Sequence, residues 1–198
     1  MVARNNAFAE VIESSLETWT AQSWQWDRFP TFGSLVAVDS GDRTIFGVIC
    51  EVKTGSDDPS RRPFAYGKTE DELREQQPQI FEFLRTSFSC LTVGYRQRGK
   101  MFYTVAPAPP KIHTFVAPLE KDEAKRFLAH DGYLYLLFGM ANQGIALDEL
   151  LLAVLSYHEA LGILAESTLT RFMRTYSLLT ANDYRRAKLF LRRAEQLL

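Results

Sequence analysis

The stretch PFAYGKTEDELREQQPQI (residues 63–80) decides the fold of the chain, because it places a short helix between two strand-rich regions. Thr69 and Glu72 have the spacing of a capping box, in which the Thr hydroxyl accepts a hydrogen bond from a first-turn amide and the Glu side chain reaches back. Pro78 cannot continue that helix, so residues 79–84 are predicted to form a second helical turn. The stretch therefore predicts a helical insertion in a strand-rich half.

Strand patterns flank this insertion on both sides. Residues 33–38 and 44–52 are apolar runs around the turn Ser40-Gly-Asp-Arg43, which predicts a hairpin. Gly47 inside the second run indicates a bulge or a close backbone approach. Six strands without a βαβ rhythm favour a small antiparallel β-barrel, because closure removes exposed strand edges. The other strand-like segments are residues 7–24, 88–95, 100–105 and 112–116, and residues 54–62 are predicted to be a polar loop.

The chain is predicted to be helical after residue 118. Residues 119–129 begin with acidic side chains, which suits a helix N-terminus. Residues 133–142 fit either a helix or a buried strand, and the helical neighbours favour a helix. The fold class is therefore expected to be α+β, with a six-stranded barrel over residues 1–118 followed by a helical bundle over residues 119–198. Further apolar faces at helical spacing are Leu147, Leu150, Leu151, Val154, Leu155, His158 and Leu161, ending near Gly162, and Leu169, Phe172, Met173, Tyr176 and Leu179.

The composition is that of an ordinary globular protein. The chain is 46% hydrophobic and 24% charged with a net charge of −1, whereas a strongly basic chain would indicate nucleic-acid binding. Cys50 and Cys90 lie in apolar strand-like runs and are predicted to be buried free thiols. The sequence shows no apolar signal-peptide region and no apolar run long enough to span a bilayer. These features predict a soluble cytoplasmic protein with no membrane partner.

Candidate enzymatic motifs have simpler structural interpretations. Residues 94–100 have the GxxxxGK spacing of a phosphate-binding loop, but Met101 replaces the hydroxyl residue that binds Mg²⁺ and a strand follows instead of a helix. We predict a hairpin turn there. His158 falls on an apolar helix face and is predicted to be a core histidine, and His130-Asp131 is predicted to cap a helix. The histidines and cysteines lack metal-ligand spacing, so we expect no enzyme activity, cofactor or metal.

The last predicted helix carries the candidate contact site. Its region is basic, since residues 171–198 carry seven basic and two acidic side chains, whereas residues 119–170 carry three and eight. The helices are expected to pair these opposite charges, or to leave one basic face for a protein or for phosphates. The apolar stripe of the helix is Ala187, Phe190, Leu191, Ala194, Leu197 and Leu198, and its candidate contact residues on the other side are Arg185, Arg186, Lys188, Arg192 and Arg193.

A set of turn, cap and proline positions in the first 118 residues carries a family resemblance. These positions are Phe46-Gly47-Val48, Glu51-Val52, Pro63, Tyr66-Gly67, Thr69, Glu72-Leu73 and Pro78-Gln79-Ile80. Through them the first 118 residues resemble the HerA–ATP synthase (HAS) barrel family. In that family the barrel sits at the base of hexameric ATPases, including HerA helicases and rotary ATP synthase subunits, and forms a collar through side-by-side contacts without hydrolysing ATP. The family's Walker-type motor is replaced here by residues 119–198, so the resemblance implies a barrel and protein contacts but no catalytic residue.

Two functions compete at this stage. The first is a non-enzymatic assembly or adaptor module that contacts another protein, either a HerA-like or other ring ATPase or a second copy of itself. The alternative is a nucleic-acid-associated factor that uses the basic face of the last helix. A small-molecule binder that uses the barrel mouth or an interdomain cleft is a third possibility.

Overall fold

The structure, a computed structural model, describes residues 6–56, 64–140 and 144–197. Its strands are β1 (Ala9–Ser14), β2 (Thr18–Ser23), β3 (Leu35–Ser40), β4 (Arg43–Ser56), β5 (Leu84–Gln97), β6 (Lys100–Phe102) and β7 (Phe115–Pro118). Its helices are α1 (Glu70–Gln76), α2 (Gln79–Glu82), α3 (Lys121–Leu128), α4 (Gly132–Gly139), α5 (Leu147–Ala160), α6 (Glu166–Leu179) and α7 (Tyr184–Ala194), with a 3₁₀ turn at Glu195–Leu197. The described helices include none with the length and apolar character of a membrane span.

Several sequence predictions fall partly on residues outside this description. They are most of the polar loop predicted over residues 54–62, Pro63 of the insertion, the end of the helix predicted over residues 133–142, and Leu198 of the last apolar stripe.

Six antiparallel strands close into a barrel, which confirms the predicted α+β fold with an N-terminal barrel and C-terminal helices. The strand order is β2-β1-β7-β3-β4-β5, and pairing of β5 with β2 closes the ring. The set of strands differs from the prediction, because residues 7–24 form two strands and β6 only extends the end of β5. The chain reverses where the Ser15 amide and hydroxyl both donate to the Thr18 carbonyl, at 2.7 and 2.8 Å.

Trp19 fills the barrel, and Gly47 makes room for it. The β4–β5 register shifts between Phe46 and Gly47, which is a bulge. A Cβ atom on Gly47 would lie 2.6 Å from Trp19 Cζ2 and 2.9 Å from Cys90 Cβ. The predicted bulge and the predicted close approach therefore both occur. The barrel core consists of Phe8, Ala9, Val11, Trp19, Ala21, Val36, Val38, Ile49, Phe88, Cys90 and Val116.

The outer wall of the barrel shares a second hydrophobic core with the helices. Phe46 of β4 contacts Phe127 of α3 with ring centres 5.1 Å apart, and both belong to one cluster that extends through α5 to α7. On another side of the wall, a Cβ atom on Gly33 would lie 2.5 Å from Ala153 Cβ of α5. The last barrel strand ends at Pro118, and the C-terminal helices begin with α3 at Lys121.

The insertion between β4 and β5 has the predicted capping box. The Thr69 amide donates to Glu72 Oε2 at 2.7 Å, and the Glu72 amide donates to Thr69 Oγ1 at 3.3 Å. Pro78 separates α1 from α2, as predicted. No residue of α1 is buried. Helix α1 therefore adds no buried side chain to either hydrophobic core.

Candidate contact site on the last helix

Helix α7 begins at a side-chain cap and docks through its apolar stripe. Asp183 Oδ1 accepts a hydrogen bond from the Arg186 amide at 3.0 Å, which satisfies one of the free amides of the first turn. Phe190 and Ala194 are buried, and the Phe190 ring stacks on Tyr176 of α6 with ring centres 4.4 Å apart. The predicted helix and stripe are present. Burial of the stripe fixes which side chains of α7 face outward.

Arg186 is partly exposed, and its guanidinium group pairs with helix α5. Its Nη2 and Nε atoms lie 2.7 and 3.0 Å from the two carboxylate oxygens of Asp148 on α5. The Tyr176 hydroxyl donates to the same carboxylate at 3.0 Å, and the guanidinium lies 5.9 Å from the Tyr176 ring centre. The hydrogen bond to Asp148 raises the pKa of Arg186. Burial, together with the Asp148 charge, raises the pKa of Tyr176 to about 12.

Arg193 forms the second of these bidentate pairs. Its two terminal nitrogens each lie 2.6 Å from an oxygen of Glu149, which neighbours Asp148 at the start of α5. Hydrogen bonding from Arg193 lowers the pKa of Glu149. The expected pairing of acidic and basic helices is therefore present for Arg186 and Arg193. These two cations hold α7 against α5, so their guanidinium groups are already engaged in ion pairs.

The other three candidate cations remain exposed. Arg185, Lys188 and Arg192 follow one another at intervals of three and four residues, so they lie on one side of the helix. None of them forms an ion pair with another residue in the part of the chain that the structure describes. The ammonium group of Lys188 lies 5.9 Å from the Tyr184 ring centre, which is a weak cation–π contact. The structure therefore keeps three of the five predicted site residues together on a free surface.

Two apolar side chains on the same side were not predicted as site residues. Tyr184 is 73% exposed and Leu189 is 63% exposed. The helical spacing of the sequence could have identified them, because both fall outside the apolar stripe. Tyr184 lies one turn from Lys188, and Leu189 lies one turn from Arg185. We call the set Tyr184, Arg185, Lys188, Leu189 and Arg192 the outer face of α7.

The rejected enzymatic motifs have structural roles. The GxxxxGK segment is the β5–β6 hairpin, in which Gln97 pairs with Lys100 around a two-residue turn, as predicted. His158 is buried, its Nδ1 donates to the Val154 carbonyl at 2.7 Å, and the Tyr133 hydroxyl lies 3.5 Å from Nε2. Burial lowers the pKa of His158. The histidine is therefore a neutral core residue, in agreement with the sequence analysis.

Asp131 occupies the N-cap position of α4, as predicted, but its side chain has another role. Asp131 precedes α4 but makes no side-chain hydrogen bond to the helix amides. Its carboxylate instead accepts from Arg171 Nε at 3.1 Å and from the Thr175 hydroxyl at 3.2 Å, both on α6. Asp131 therefore joins two helices, because these donors lie within reach of its side chain.

A cleft of about 430 Å³ separates the barrel wall from the segment before α5. Its lining includes Cys50, whose thiol pKa is raised to about 11 by burial and by the Glu51 charge. A thiol of that pKa is a poor nucleophile at neutral pH. No group of three or more metal-ligating side chains occurs among residues 6–56, 64–140 and 144–197. The hydroxyl residues of the lining are Ser14, Ser15, Thr18, Thr20 and Ser89.

Neither the models of known protein families nor the curated proteins give a match to this chain. The resemblance to the HAS barrel family therefore stays a prediction.

Proposed function

We propose that this chain is a non-enzymatic assembly or adaptor module that binds another protein through the outer face of α7. The observation that carries the proposal is the position of Tyr184 and Leu189 among three cations on one exposed helix face, none of which forms an ion pair with a described residue. Tyrosine and arginine are enriched at protein interfaces and at their energetic centres. A face with this composition suits a partner that offers an apolar contact surrounded by carboxylates.

The paired cations weigh against nucleic acid as the ligand. Arg186 and Arg193 already hold carboxylates in two-point contacts, so a phosphate would have to displace Asp148 or Glu149. The three remaining cations would release about three counterions, which is a weak salt dependence for a DNA-binding protein. Nucleic-acid association stays the second candidate, because Arg185, Lys188 and Arg192 form a continuous basic row.

The barrel suggests a class of partner. A HAS-like barrel implies contacts with ring-shaped ATPases or with neighbouring barrels, so a HerA-like motor is a candidate partner. The six-stranded barrel is compatible with this assignment, and the outer face of α7 lies on a helix of the second half, where the family has its motor. A cytoplasmic location remains part of this proposal.

Site-specific photo-crosslinking tests the proposed function. A photoreactive amino acid replaces Leu189 in the protein produced in its native cells, and the same amino acid replaces Tyr135 on α4 as an exposed control. We expect protein adducts from position 189 that are absent from position 135 and are lost in the variant R185E/K188E/R192E. Adducts with nucleic acid only, or equal protein adducts from both positions, would contradict the proposal.

A further inference from the structure

We propose that the outer face of α7 receives helix α1 of a second copy of this chain. This inference rests on the proposed function, since it uses the same contact surface and names its partner. Two independent observations lead to it. No residue of α1 is buried, and its exposed charges are opposite to those of the outer face of α7.

The first observation concerns the exposure of α1. Its seven residues include none that is buried. A helix of this length is marginal in water unless packing supports it. Its side-chain contacts with described residues include Arg74, which lies over the Phe81 ring at 4.8 Å and 3.9 Å from Asp27. They also include the local Arg74–Glu70 pair at 2.6 Å and a hydrogen bond from Lys68 to Gln76. A partner that covers α1 would stabilise it.

The second observation is the match of charge and spacing. Helix α1 carries Glu70, Asp71, Glu72 and Glu75 against one cation, Arg74. Asp71 and Glu75 are exposed and one helical turn apart, the same interval that separates Lys188 from Arg192. Two helices with carboxylates and cations at the same interval can form more than one ion pair at once.

The position of the insertion favours a contact between copies. Ser56 pairs with Leu84 at the end of the β4–β5 ladder, and the insertion leaves the barrel from this pair. Phe46, which α3 covers, lies ten residues earlier on β4, or about 30 Å at the usual rise of a strand. No hydrogen bond or ion pair links α1 with α7 across the described part of one chain.

The contact is heterologous in its chemistry, because each copy supplies one α1 and one outer face of α7. Two such contacts related by a twofold axis would close a dimer, and head-to-tail repetition would give a ring if the rotation closes or an open chain if it does not. In each arrangement, reversing the charges of one helix removes every contact between identical copies. When one copy has reversed charges on α7 and the other has reversed charges on α1, the helices that meet between the two copies again carry opposite charges, so these copies associate.

A charge exchange measured by sedimentation velocity tests the inference. One variant carries R185E/K188E/R192E and the other carries D71K/E75K, which leaves the Thr69–Glu72 capping box and the Arg74–Glu70 pair intact. We expect the wild-type chain to form species larger than its 22.6 kDa monomer at low salt. Each variant alone is expected to be monomeric, and an equimolar mixture is expected to recover the larger species. A control variant, K100E/K111E/K121E, changes the net charge by the same amount as R185E/K188E/R192E, but at three other exposed lysines. We expect this control to associate like the wild type.

A monomeric wild-type chain at low salt, or a mixture that stays monomeric, would overturn the inference. Equal loss of association in the control variant would do the same, since it would show a general charge effect. The neutral variants R185Q/K188Q/R192Q and D71N/E75Q repeat the test with a smaller perturbation, and circular dichroism checks that each chain is folded. If Leu189 crosslinks to a different protein while the mixture stays monomeric, the inference fails and the proposed function stands. If position 189 gives no specific protein adduct, the proposed function fails as well.

Discussion

Arg186 of α7 and Asp148 of α5 form a two-point ion pair, with Nη2–Oδ1 and Nε–Oδ2 distances of 2.7 and 3.0 Å. This pair divides five cations of one helix into two groups with different roles. Arg186 and Arg193 fix α7 to α5, whereas Arg185, Lys188 and Arg192 stay on the free side. The net positive charge of the last segment is therefore partly structural and partly available to a partner.

The Arg186→Ala variant is expected to be less stable than the wild type by about 1–2 kcal/mol, because it removes charge-assisted hydrogen bonds from a partly exposed pair. Arg185→Ala is its matched control on the next residue and is expected to change the free energy of unfolding by less than about 0.5 kcal/mol. Urea denaturation followed by circular dichroism measures both. Equal effects of the two substitutions would show that the Asp148 pair does not anchor α7.

The Gly33→Ala variant is expected to lose about 2–4 kcal/mol, since the new methyl group overlaps α5 and the backbone conformation disfavours a side chain. Gly33 has φ +82°, and its Cβ would lie 2.6 Å from the Ala153 carbonyl carbon. Gly41 has φ +70° with nothing within 4 Å, so Gly41→Ala isolates the backbone cost, about 1 kcal/mol. Thermal and urea unfolding measure the difference. A Gly33→Ala effect no larger than that of Gly41→Ala would mean that α5 does not pack on this loop.

Protonation of His158 is expected to destabilise the fold as the pH falls. Burial lowers the pKa of His158 in the folded state below its ordinary value of 6.5. Above pH 6.5 the imidazole is neutral in the folded and the unfolded state, so the contribution of His158 to the free energy of unfolding is fully present. Below 6.5 the unfolded chain takes up a proton that the folded chain does not, so stability falls by up to about 1.4 kcal/mol per pH unit until the lowered pKa is reached.

The difference between wild type and His158→Gln in urea unfolding across this pH range isolates that contribution. We expect the variant to be less stable at neutral pH but to show a shallower loss on acidification. His130→Gln controls for removal of a histidine from the chain and is expected to keep the wild-type slope. An unchanged slope in His158→Gln would contradict a buried neutral histidine.

Much of the barrel could be predicted, because its elements have local signals. The hairpin around Gly41 and the capping box at Thr69 both depend on residues next to each other in sequence, and both occur. The turn at Ser15–Thr18, which separates β1 from β2, was not predicted. It is held by hydrogen bonds from the Ser15 hydroxyl and amide to the Thr18 carbonyl, and the strand-like residue pattern continues through it. Whether a strand belongs to the barrel also depends on its pairing with strands far away in sequence. In the described sheet β6 pairs with β5 alone, so it lies outside the closed ring.

The candidate site was predicted only in outline for a similar reason. Helical periodicity separates the apolar stripe of α7 from its cations, but it does not show which cations have partners on α5. Asp148 and Glu149 precede Arg186 by more than thirty residues, so their pairing depends on how the helices pack. The same packing leaves Leu189 exposed, although an isolated leucine in a sequence usually suggests a core position.

The native thiols are expected to react slowly with alkylating reagents near neutral pH. Burial raises the pKa of Cys50 to about 11 and that of the fully buried Cys90 well above its usual value, so both stay protonated. Mass spectrometry after a short exposure to iodoacetamide is expected to show unmodified folded protein and double modification in urea. Rapid modification of Cys90 in the folded protein would contradict its place in the barrel core.

A fluorescent label at position 189 tests whether the outer face of α7 binds protein and not DNA. An environment-sensitive dye is attached to Leu189→Cys and, as a control, to Tyr135→Cys. The native thiols are expected to stay unlabelled near neutral pH, because Cys90 is buried and the pKa of the half-buried Cys50 is raised to about 11. Unlabelled wild-type protein is added in one titration, and a DNA duplex in the other, both at low salt. The account predicts that the protein shifts the emission at position 189 to the blue, that position 135 does not respond, and that the duplex has little effect. A response at position 189 to the duplex and none to the protein would contradict it.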